Sequence, residues 1–335
     1  MAIRIGTNDS TNYVFNLTVD PNYNYGLEDD RVVGLGGHNT IRTGAGNDHL
    51  EGGDGDNTYA DGDGNDTVLG GSGRDAVQVD AGNDLYYGGG GSDLLWFDWI
   101  HIGFKGALKL AYQGVTVDLS LTSAQDLGEF GVDRFFGFEG VYGSYGNDTF
   151  LGTDGVNHID GNDGDDVLYG RDGNDTLYGG DGADILIGGL GPDNLHIGNG
   201  GGSGDNLRDV ARYESLKDSG ATAATGDVIH DFVRGEDKID LSKLDANLGQ
   251  KGNQAFKVVK GFTKAFGEVK LVKSGADTIV QVDGDKDKAV DMTFLVLGTH
   301  LTKGDFILSA SRRAGRRAKQ SADPQLPFHQ HNVIL

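Results

Sequence analysis

A nine-residue repeat occupies two stretches of the chain and constrains its fold more than any other feature. From Gly34 to Trp96 the units, aligned in register, are GLGGHNTIR, TGAGNDHLE, GGDGDNTYA, DGDGNDTVL, GGSGRDAVQ, VDAGNDLYY and GGGGSDLLW. A looser copy at residues 25–33 precedes them, and residues 143–196 continue the pattern as GSYGNDTFL, GTDGVNHID, GNDGDDVLY, GRDGNDTLY, GGDGADILI and GGLGPDNLH. The chain therefore contains fourteen units in two arrays, and its fold must repeat with the same period.

Two places in the unit indicate its local structure. The fourth place is Gly in thirteen of the fourteen units, with Glu28 as the exception. This is typical of a tight turn that needs a positive φ or a close approach of two backbones. The eighth place is apolar or aromatic in all fourteen units. One inward side chain in nine residues predicts a three-residue strand, joined to the next by a six-residue turn.

The sixth place carries an oxygen ligand in every unit, and we take these residues as candidate metal ligands. They are Asp30, Asn39, Asp48, Asn57, Asp66, Asp75, Asp84, Asp93, Asp148, Asn157, Asp166, Asp175, Asp184 and Asp193. Stacked units bring these side chains into rows, where like charges repel each other. Ca²⁺ prefers carboxylate and carbonyl oxygens, about six to eight per ion, so the rows predict several bound Ca²⁺ ions. Because each unit buries only one apolar side chain, we expect the arrays to be largely unfolded until they bind Ca²⁺.

The repeat resembles the nonapeptide G-G-x-G-x-D-x-U-x of RTX (hemolysin-type) calcium-binding proteins, in which U is a large apolar residue. This resemblance implies a parallel β-roll with Ca²⁺ between successive turns. It also implies a secreted, extracellular protein that is exported by a type I (ABC transporter) system. The resemblance says little about biological role, because the same repeat accompanies proteases, lipases, toxins, epimerases and adhesins.

The net charge of −23 is concentrated in the repeats. The two arrays contain 25 acidic and 4 basic residues, whereas the remaining 209 residues contain 26 and 24. This distribution favours a cation as partner and argues against nucleic acid, whose phosphates need the opposite charge. The chain contains no Cys, and its beginning, MAIRIGTNDSTNYVFNLTV, lacks the basic and apolar regions of a cleaved secretory signal. The sequence contains no run of eighteen apolar residues, which is the length that would predict a membrane span.

The segments around the arrays have their own patterns. Residues 1–24 contain an alternating stretch, 12–19, that either pairs with and caps the first roll (25–96) or belongs to a disordered leader. Residues 97–142 form a connector with β-strands, in which GVTVDLSL and FEGVYGSYGNDTF look like connectors of serralysin-type proteins. Counting back nine residues from Gly143 puts Val141 in an eighth place. The aromatic cluster around Trp96 and Phe97 is either core packing, which we favour, or a contact for sugar or membrane.

Residues 143–206 hold the second roll and a glycine-rich linker, and the composition changes after them. Residues 207–308 contain several strand-like runs that predict a mostly antiparallel β cap. The sequences DVIHDFVRGEDKIDLSKLDA, QVDGDKDKAVDMTFLVLG and LTKGDFIL are similar to the C-terminal region of serralysin-type metalloproteases. This similarity implies a role in folding and secretion, with an export signal near Asp305, Phe306, Ile307 and Leu308. The predicted fold is therefore all-β, with two parallel β-roll arrays, a connector and a C-terminal cap.

Two polar segments in the last third of the chain allow alternative interpretations. Asp283, Asp285 and Asp287 are spaced like the start of an EF-hand loop, but Lys288 stands where that loop needs Gly, which favours a solvated hairpin turn. Residues 309–335 form a basic tail. It is either disordered and solvated or a contact for anionic lipid or polysaccharide.

We find no catalytic motif. The sequence contains no H-E-x-x-H, no G-x-S-x-G and no G-x-x-x-x-G-K-[ST]. Our first hypothesis is a non-catalytic secreted calcium-binding protein that contacts an extracellular polysaccharide, a matrix, or a host or cell surface. The alternatives are a membrane-active protein that forms cation channels, and an accessory module of a polysaccharide-modifying enzyme or protease.

Overall fold

The computed structural model describes residues 29–34, 36–100, 113–198, 207–245 and 254–309, together with the strands at 3–5, 13–16 and 109–110. Within these residues the secondary structure is β, apart from two 3-10 helices at Gly128–Phe130 and Lys303–Asp305. None of the helices in the described parts of the chain has the length and apolar character to cross a membrane. The all-β prediction is confirmed.

The strands are short and follow the repeat. The first sixteen are β1 (Ile3–Ile5), β2 (Tyr13–Asn16), β3 (Arg31–Val33), β4 (Asn39–Ala45), β5 (His49–Asp54), β6 (Thr58–Asp63), β7 (Thr67–Ser72), β8 (Ala76–Gln78), β9 (Leu85–Gly90), β10 (Leu94–Trp96), β11 (Trp99–Ile100), β12 (Lys109–Leu110), β13 (Thr116–Asp118), β14 (Gln125–Asp126), β15 (Val132–Phe136) and β16 (Gly140–Tyr142). The remaining strands are β17 (Thr149–Leu151), β18 (His158–Asp160), β19 (Val167–Asp172), β20 (Thr176–Tyr178), β21 (Ile185–Leu190), β22 (Asn194–His196), β23 (Val210–Arg212), β24 (Val228–His230), β25 (Lys238–Asp240), β26 (Lys257–Val259), β27 (Glu268–Ser274), β28 (Asp277–Asp283), β29 (Met292–Val296) and β30 (Phe306–Ile307).

Successive strands alternate between two facing sheets, so two repeat units make one coil. Each strand of an array pairs in parallel with the strand eighteen residues away, as Leu50 with Val68 and Ile41 with Tyr59. The side chains in the eighth place lie between the sheets, and all fourteen are fully buried. A turn after every inward side chain sends the chain across to the other sheet. This arrangement is the parallel β-roll that the repeat predicted.

One sheet runs through both arrays. It contains fourteen strands in the order β2-β4-β6-β8-β10-β16-β18-β20-β22-β24-β29-β28-β27-β26, and two seven-stranded sheets face it. At the join, Leu95 of the first array pairs with Val141, which in turn pairs with Ile159 of the second array. The placement of Val141 in an eighth position is therefore confirmed, and the two arrays stack along a common sheet.

The connector also supplies a coil. Phe135 of β15 pairs with Tyr86 and stacks on its ring at 5.7 Å between centroids. Only six residues separate Phe135 from Val141, so one turn is three residues shorter than in the arrays. Phe97 is fully buried against Phe130 and Phe150, at 5.2 and 6.2 Å between ring centroids, which confirms core packing for this residue. Trp96 instead is exposed, because it follows the inward-facing Leu95 in β10 and points out of the roll, so core packing is wrong for Trp96.

The C-terminal region extends the roll rather than folding back on itself. Its strands β23, β24, β25 and β30 pair in parallel with earlier strands, and only β27, β28 and β29 pair antiparallel. The prediction of a mostly antiparallel cap is therefore wrong outside these three strands. The reason is local: Val228 and Ile229 follow an aspartate exactly as strand residues do in the arrays, so they continue the same coil.

Several predictions fall partly or wholly outside the described residues. Strand β2, within the alternating stretch at 12–19, pairs in parallel with β4, while the rest of residues 1–24 lies outside apart from β1. The glycine-rich linker beyond residue 198 and the basic tail beyond residue 309 also lie outside.

Candidate metal centre

The residues in the sixth place form hydrogen-bonded ladders along the roll. Each backbone N–H donates to the side-chain oxygen of the sixth-place residue one coil further on. Asp48 donates to Asp66 Oδ1 at 2.6 Å, and Asp66 donates to Asp84 Oδ1 at 2.7 Å. In the second array Asp166 donates to Asp184 Oδ1 at 2.8 Å. This bond fixes one oxygen of every such carboxylate and stacks the side chains at the strand starts.

The ladders form three rows, and all fourteen sequence-predicted residues belong to one of them. The first row is Asp30, Asp48, Asp66 and Asp84. The long row is Asn39, Asn57, Asp75 and Asp93, followed beyond the connector by Asn157, Asp175 and Asp193. The last row is Asp148, Asp166 and Asp184. Each of the fourteen side chains is buried.

Five acidic residues that the nine-residue pattern does not identify continue these rows. Asp133 follows Asp84 in the first row, Glu139 and Asp227 extend the long row, and Asp209 and Asp237 extend the last row. The signal that identifies the four aspartates is Asp, any residue, then an apolar residue, without the glycines. The segment GEFGVDRFF at 128–136 even has Gly, Asp and Phe in the fourth, sixth and eighth places.

The second oxygen of many row aspartates is buried without a hydrogen-bond partner. Among the described residues this holds for Oδ2 of Asp66, Asp75, Asp93, Asp133, Asp166, Asp175 and Asp193. Leaving a buried carboxylate oxygen unsatisfied is costly, so these atoms call for a ligand that supplies positive charge.

Glycine in the first place of the turn leaves room for such a ligand beside five of these oxygens, those of Asp75, Asp93, Asp166, Asp175 and Asp193. A Cβ added to Gly161 would lie 2.2 Å from Asp166 Oδ2 and 2.5 Å from the carbonyl oxygen of Gly179, in the next coil. At Gly170 the corresponding atoms are Asp175 Oδ2 at 2.3 Å and a glycine carbonyl oxygen at 2.4 Å. Carboxylate and carbonyl oxygens from two coils therefore converge on one small space, and this donor set fits Ca²⁺.

The raised pKa values of the row aspartates also indicate that the rows need a cation. Burial raises the pKa of Asp166 to about 9 and that of Asp66 to about 8, with further upward contributions from neighbouring carboxylates. Burial also raises the pKa of Asp175 and of Asp193 to about 7. Ionising a whole row in the absence of a cation is therefore unfavourable.

The asparagines of the long row satisfy each other. Asn39 Nδ2 donates to Asn57 Oδ1 at 2.7 Å, and Asn57 Nδ2 donates to Asp75 Oδ1 at 2.9 Å. An amide nitrogen thus occupies the position where an aspartate would offer a free oxygen. We expect these units and that of Asn157 to bind calcium more weakly, because an amide in place of a carboxylate removes charge from the site.

A separate acidic group lies outside the roll, at the hairpin between β28 and β29. Asp283, Asp285 and Asp291 each have a carboxylate oxygen within 4.8 Å of the others. Asp285 and Asp287 are exposed, as expected for a solvated hairpin turn, and accept hydrogen bonds from backbone N–H groups two residues later in the chain. Asp283 instead is buried, which the sequence did not indicate.

Comparison with known proteins gives two family matches and several similar proteins. The family described as "Peptidase M10 serralysin C terminal" matches residues 45–308, and "RTX calcium-binding nonapeptide repeat (4 copies)" matches residues 25–59. Similar curated proteins include the serralysin of Photorhabdus sp. (strain Az29), 39% identical over 107 residues, and that of Photorhabdus luminescens, 37% identical over 104 residues. Each alignment covers 30% of this chain and 21% of the relative, so the matched part spans about a fifth of the relatives' length.

Similar solved structures include two subunits of the Azotobacter vinelandii mannuronan C5-epimerase. The AlgE6R2 subunit is 25% identical, with 47% of this chain and 91% of that chain covered and a TM-score of 0.34. The AlgE6R3 subunit is 26% identical, with coverages of 55% and 92% and a TM-score of 0.22.

The family match extends over most of the chain and covers all three rows from Asp48 onward. The nonapeptide units are RTX repeats, which bind Ca²⁺. The chain therefore belongs to the family described as Peptidase M10 serralysin C terminal, with RTX calcium-binding repeats forming its β-roll.

Proposed function

We propose that this chain is a secreted, non-catalytic calcium-binding protein whose roll folds when Ca²⁺ occupies the turns. The sixth-place residues of the three rows would be the side-chain ligands, and first-place glycine carbonyls would complete the sites. The observation that supports this most directly is the set of buried, unpartnered Oδ2 atoms, of which those of Asp75, Asp93, Asp166 and Asp175 share a small space with a carbonyl oxygen of the next coil. Bound Ca²⁺ would supply the positive charge that lets the rows ionise and stack.

Export before folding is expected from the calcium affinity of sites of this class. Extracellular calcium modules bind with dissociation constants of about 10⁻⁴–10⁻³ M, far above the range of cytosolic sensors, so sites of this class would stay empty inside the cell. The chain would then pass a type I (ABC) exporter unfolded. Phe306, in the segment expected to act as the export signal, is buried in β30 of the folded chain, so an exporter could contact it only before folding.

The calcium requirement is tested by refolding the full chain from denaturant into chelator, into Ca²⁺ or into Mg²⁺. We expect the far-ultraviolet circular dichroism of β-structure only in Ca²⁺, because Mg²⁺ demands octahedral geometry and gives up its water reluctantly. An equally strong β signal in chelator would refute the proposal.

Secretion is tested separately by expressing the chain in cells with and without a type I exporter. We expect the chain in the medium only when the exporter is present, and a deletion of residues 305–308 to retain it in the cell. Exporter-independent appearance in the medium would refute this part of the proposal.

A surface, matrix or host contact would be the role of the folded roll outside the cell.

A second candidate function follows from the family match. The relatives are named serralysins, and the chain could act as an accessory region of such a protease. Incubation of the calcium-loaded chain with casein distinguishes the two, since only a chain that supplies or recruits protease activity would release peptides.

A further inference from the structure

One side of the first array departs from the repeat in its first place. The nine-residue frames that begin within or directly after β4, β6, β8 and β10 have no glycine in the first place; their first-place residues are Thr43, Asp61, Val79 and Phe97. All four are buried. The turns on the other side begin with Gly52, Gly70 and Gly88, which leave the space described above for an ion. In the turns of the first row, side chains therefore fill the space that first-place glycine leaves for an ion elsewhere. We call that glycine-lined space between the Oδ2 atom and the next carbonyl oxygen the cradle.

Asp61 puts a carboxylate into this position. It follows Tyr59 by two residues in β6, so both side chains point between the sheets, and both are fully buried. Neither oxygen of Asp61 has a hydrogen-bond partner. The Tyr86 hydroxyl lies beside it, but its single hydrogen is donated to Asp84 Oδ2 at 3.1 Å.

Two further carboxylates reach the same point from the next coil. Asp80 stands in the second place of its unit and accepts the backbone N–H of Gly62 with Oδ2 at 2.6 Å, which leaves its buried Oδ1 without a partner. Asp84, in the sixth place, accepts the N–H of Asp66 with Oδ1. Oxygen atoms of Asp61, Asp80 and Asp84 all lie within 4.8 Å of one another.

Among the described residues, the charged groups that act most strongly on Asp61 and Asp80 are acidic. For Asp61 these groups are Asp66 and Asp84. Three carboxylates in a buried space must therefore either hold protons or share a cation. The geometry favours the cation, because both oxygens of Asp61 and Oδ1 of Asp80 are buried without a donor.

We propose that Asp61, Asp80 and Asp84 bind a hard divalent cation, Ca²⁺, inside the roll and separate from the glycine-lined turns. Two oxygens that bind one Ca²⁺ at about 2.4 Å each can be at most about 4.8 Å apart, and every pair among the three carboxylates meets this limit. Oxygen-only donors favour Ca²⁺ over the softer transition metals. The Tyr86 hydroxyl would be an additional oxygen beside the ion. The proposal rests on the calcium-binding function proposed above only in sharing Asp84.

The test is the number of Ca²⁺ ions bound per folded full-length chain, counted by native mass spectrometry and by equilibrium dialysis. We expect Asp61→Asn and Asp80→Asn each to bind one ion fewer than the unmodified chain. Asp63→Asn is the matched control, because Asp63 also lies in β6 but is only partly buried and does not belong to the cluster. Equal counts in all four proteins would overturn the proposal and assign protons to the cluster. An unmodified chain that binds no ion would instead overturn the proposed function.

A second measurement does not depend on removing a ligand. Tb³⁺ takes Ca²⁺ sites and emits when a neighbouring tyrosine is excited, and the transfer is short-ranged. We expect Tyr86→Phe to lower the tyrosine-excited Tb³⁺ emission, and Tyr87→Phe, which changes an exposed side chain of the next residue, to leave it unchanged. Equal emission from both variants would overturn the proposal, even if the Asp61 and Asp80 variants failed to fold.

Discussion

A methyl group placed in one calcium cradle gives the sharpest test of how the turns hold metal. In Gly161→Ala, the new Cβ would stand 2.2 Å from Asp166 Oδ2 and 2.5 Å from the carbonyl oxygen of Gly179. The backbone at Gly161 does not have a positive φ, so alanine is compatible with the local conformation. The substitution therefore acts on the space between the two oxygens.

The expected effect has two parts that depend differently on calcium. Overpacking costs about 1 to 3 kcal/mol at every calcium concentration. A lost site also removes its linkage to folding, and each ion that binds only the folded chain adds about 1.4 kcal/mol of stability per tenfold increase in free Ca²⁺ above its dissociation constant. Across a hundredfold increase, the deficit of Gly161→Ala should grow by about 2.8 kcal/mol.

The assay is urea unfolding of the full chain at a series of buffered Ca²⁺ concentrations. The matched control is Gly155→Ala in the same array, where the nearest atom to the new Cβ is Thr153 Oγ1 at 3.5 Å. We expect the control to stay within about 0.5 kcal/mol of the unmodified chain and to keep its calcium dependence. Parallel plots of stability against the logarithm of free Ca²⁺ for Gly161→Ala and the control would refute the assignment of this cradle.

Three further predictions follow from the packing and charge of the roll. Without calcium, the raised pKa values of Asp66, about 8, and Asp166, about 9, mean that folding takes up protons, so whatever stability the calcium-free chain has should be greatest near the ordinary aspartate value of 3.8 and should fall as pH rises from there to 8 to 9; circular dichroism in chelator from acid to alkaline pH checks the sign. Leu168→Ala should cost about 2 to 5 kcal/mol in calcium because Leu168 is fully buried, whereas Val156→Ala, 65% exposed, should cost little; urea unfolding compares them. Asp133→Asn should reduce the calcium dependence of stability by one ion's share, because the connector continues the first row, and an unchanged slope would contradict that role.

The regular part of the fold could be predicted because its register is fixed by chain length. Two nine-residue units bring Leu50 opposite Val68, and the same spacing brings Asp48 to Asp66. A slip of one residue would turn every eighth-place side chain outward, so the apolar pattern alone sets the pairing.

The irregular coils could not be predicted because the roll constrains strand starts and leaves loop lengths free. Asp184 donates to Asp209, 25 residues on, and Asp193 donates to Asp227, 34 residues on, although the ladder bonds are 3.0 Å in both cases. Longer outward loops cost little entropy per added residue, so the chain can insert segments without breaking the row. A search at a fixed period misses such coils, as it missed Asp133, whose turn toward Val141 is three residues short.

The choice between aspartate and asparagine separates the two roles of the sixth place. The ladder needs one acceptor oxygen, and asparagine supplies it, as Asn57 Oδ1 does for the N–H of Asn39 at 3.0 Å. If the ladder were the only requirement, asparagine would serve equally well and would also avoid the repulsion within a row. Yet eleven of the fourteen units carry aspartate, whose second oxygen is left buried and without a partner at most of the positions where the ladder is regular. Burying that second oxygen without a partner destabilises the calcium-free roll, and only a bound cation would offset the cost. Its frequent presence therefore argues that the rows are built around bound calcium.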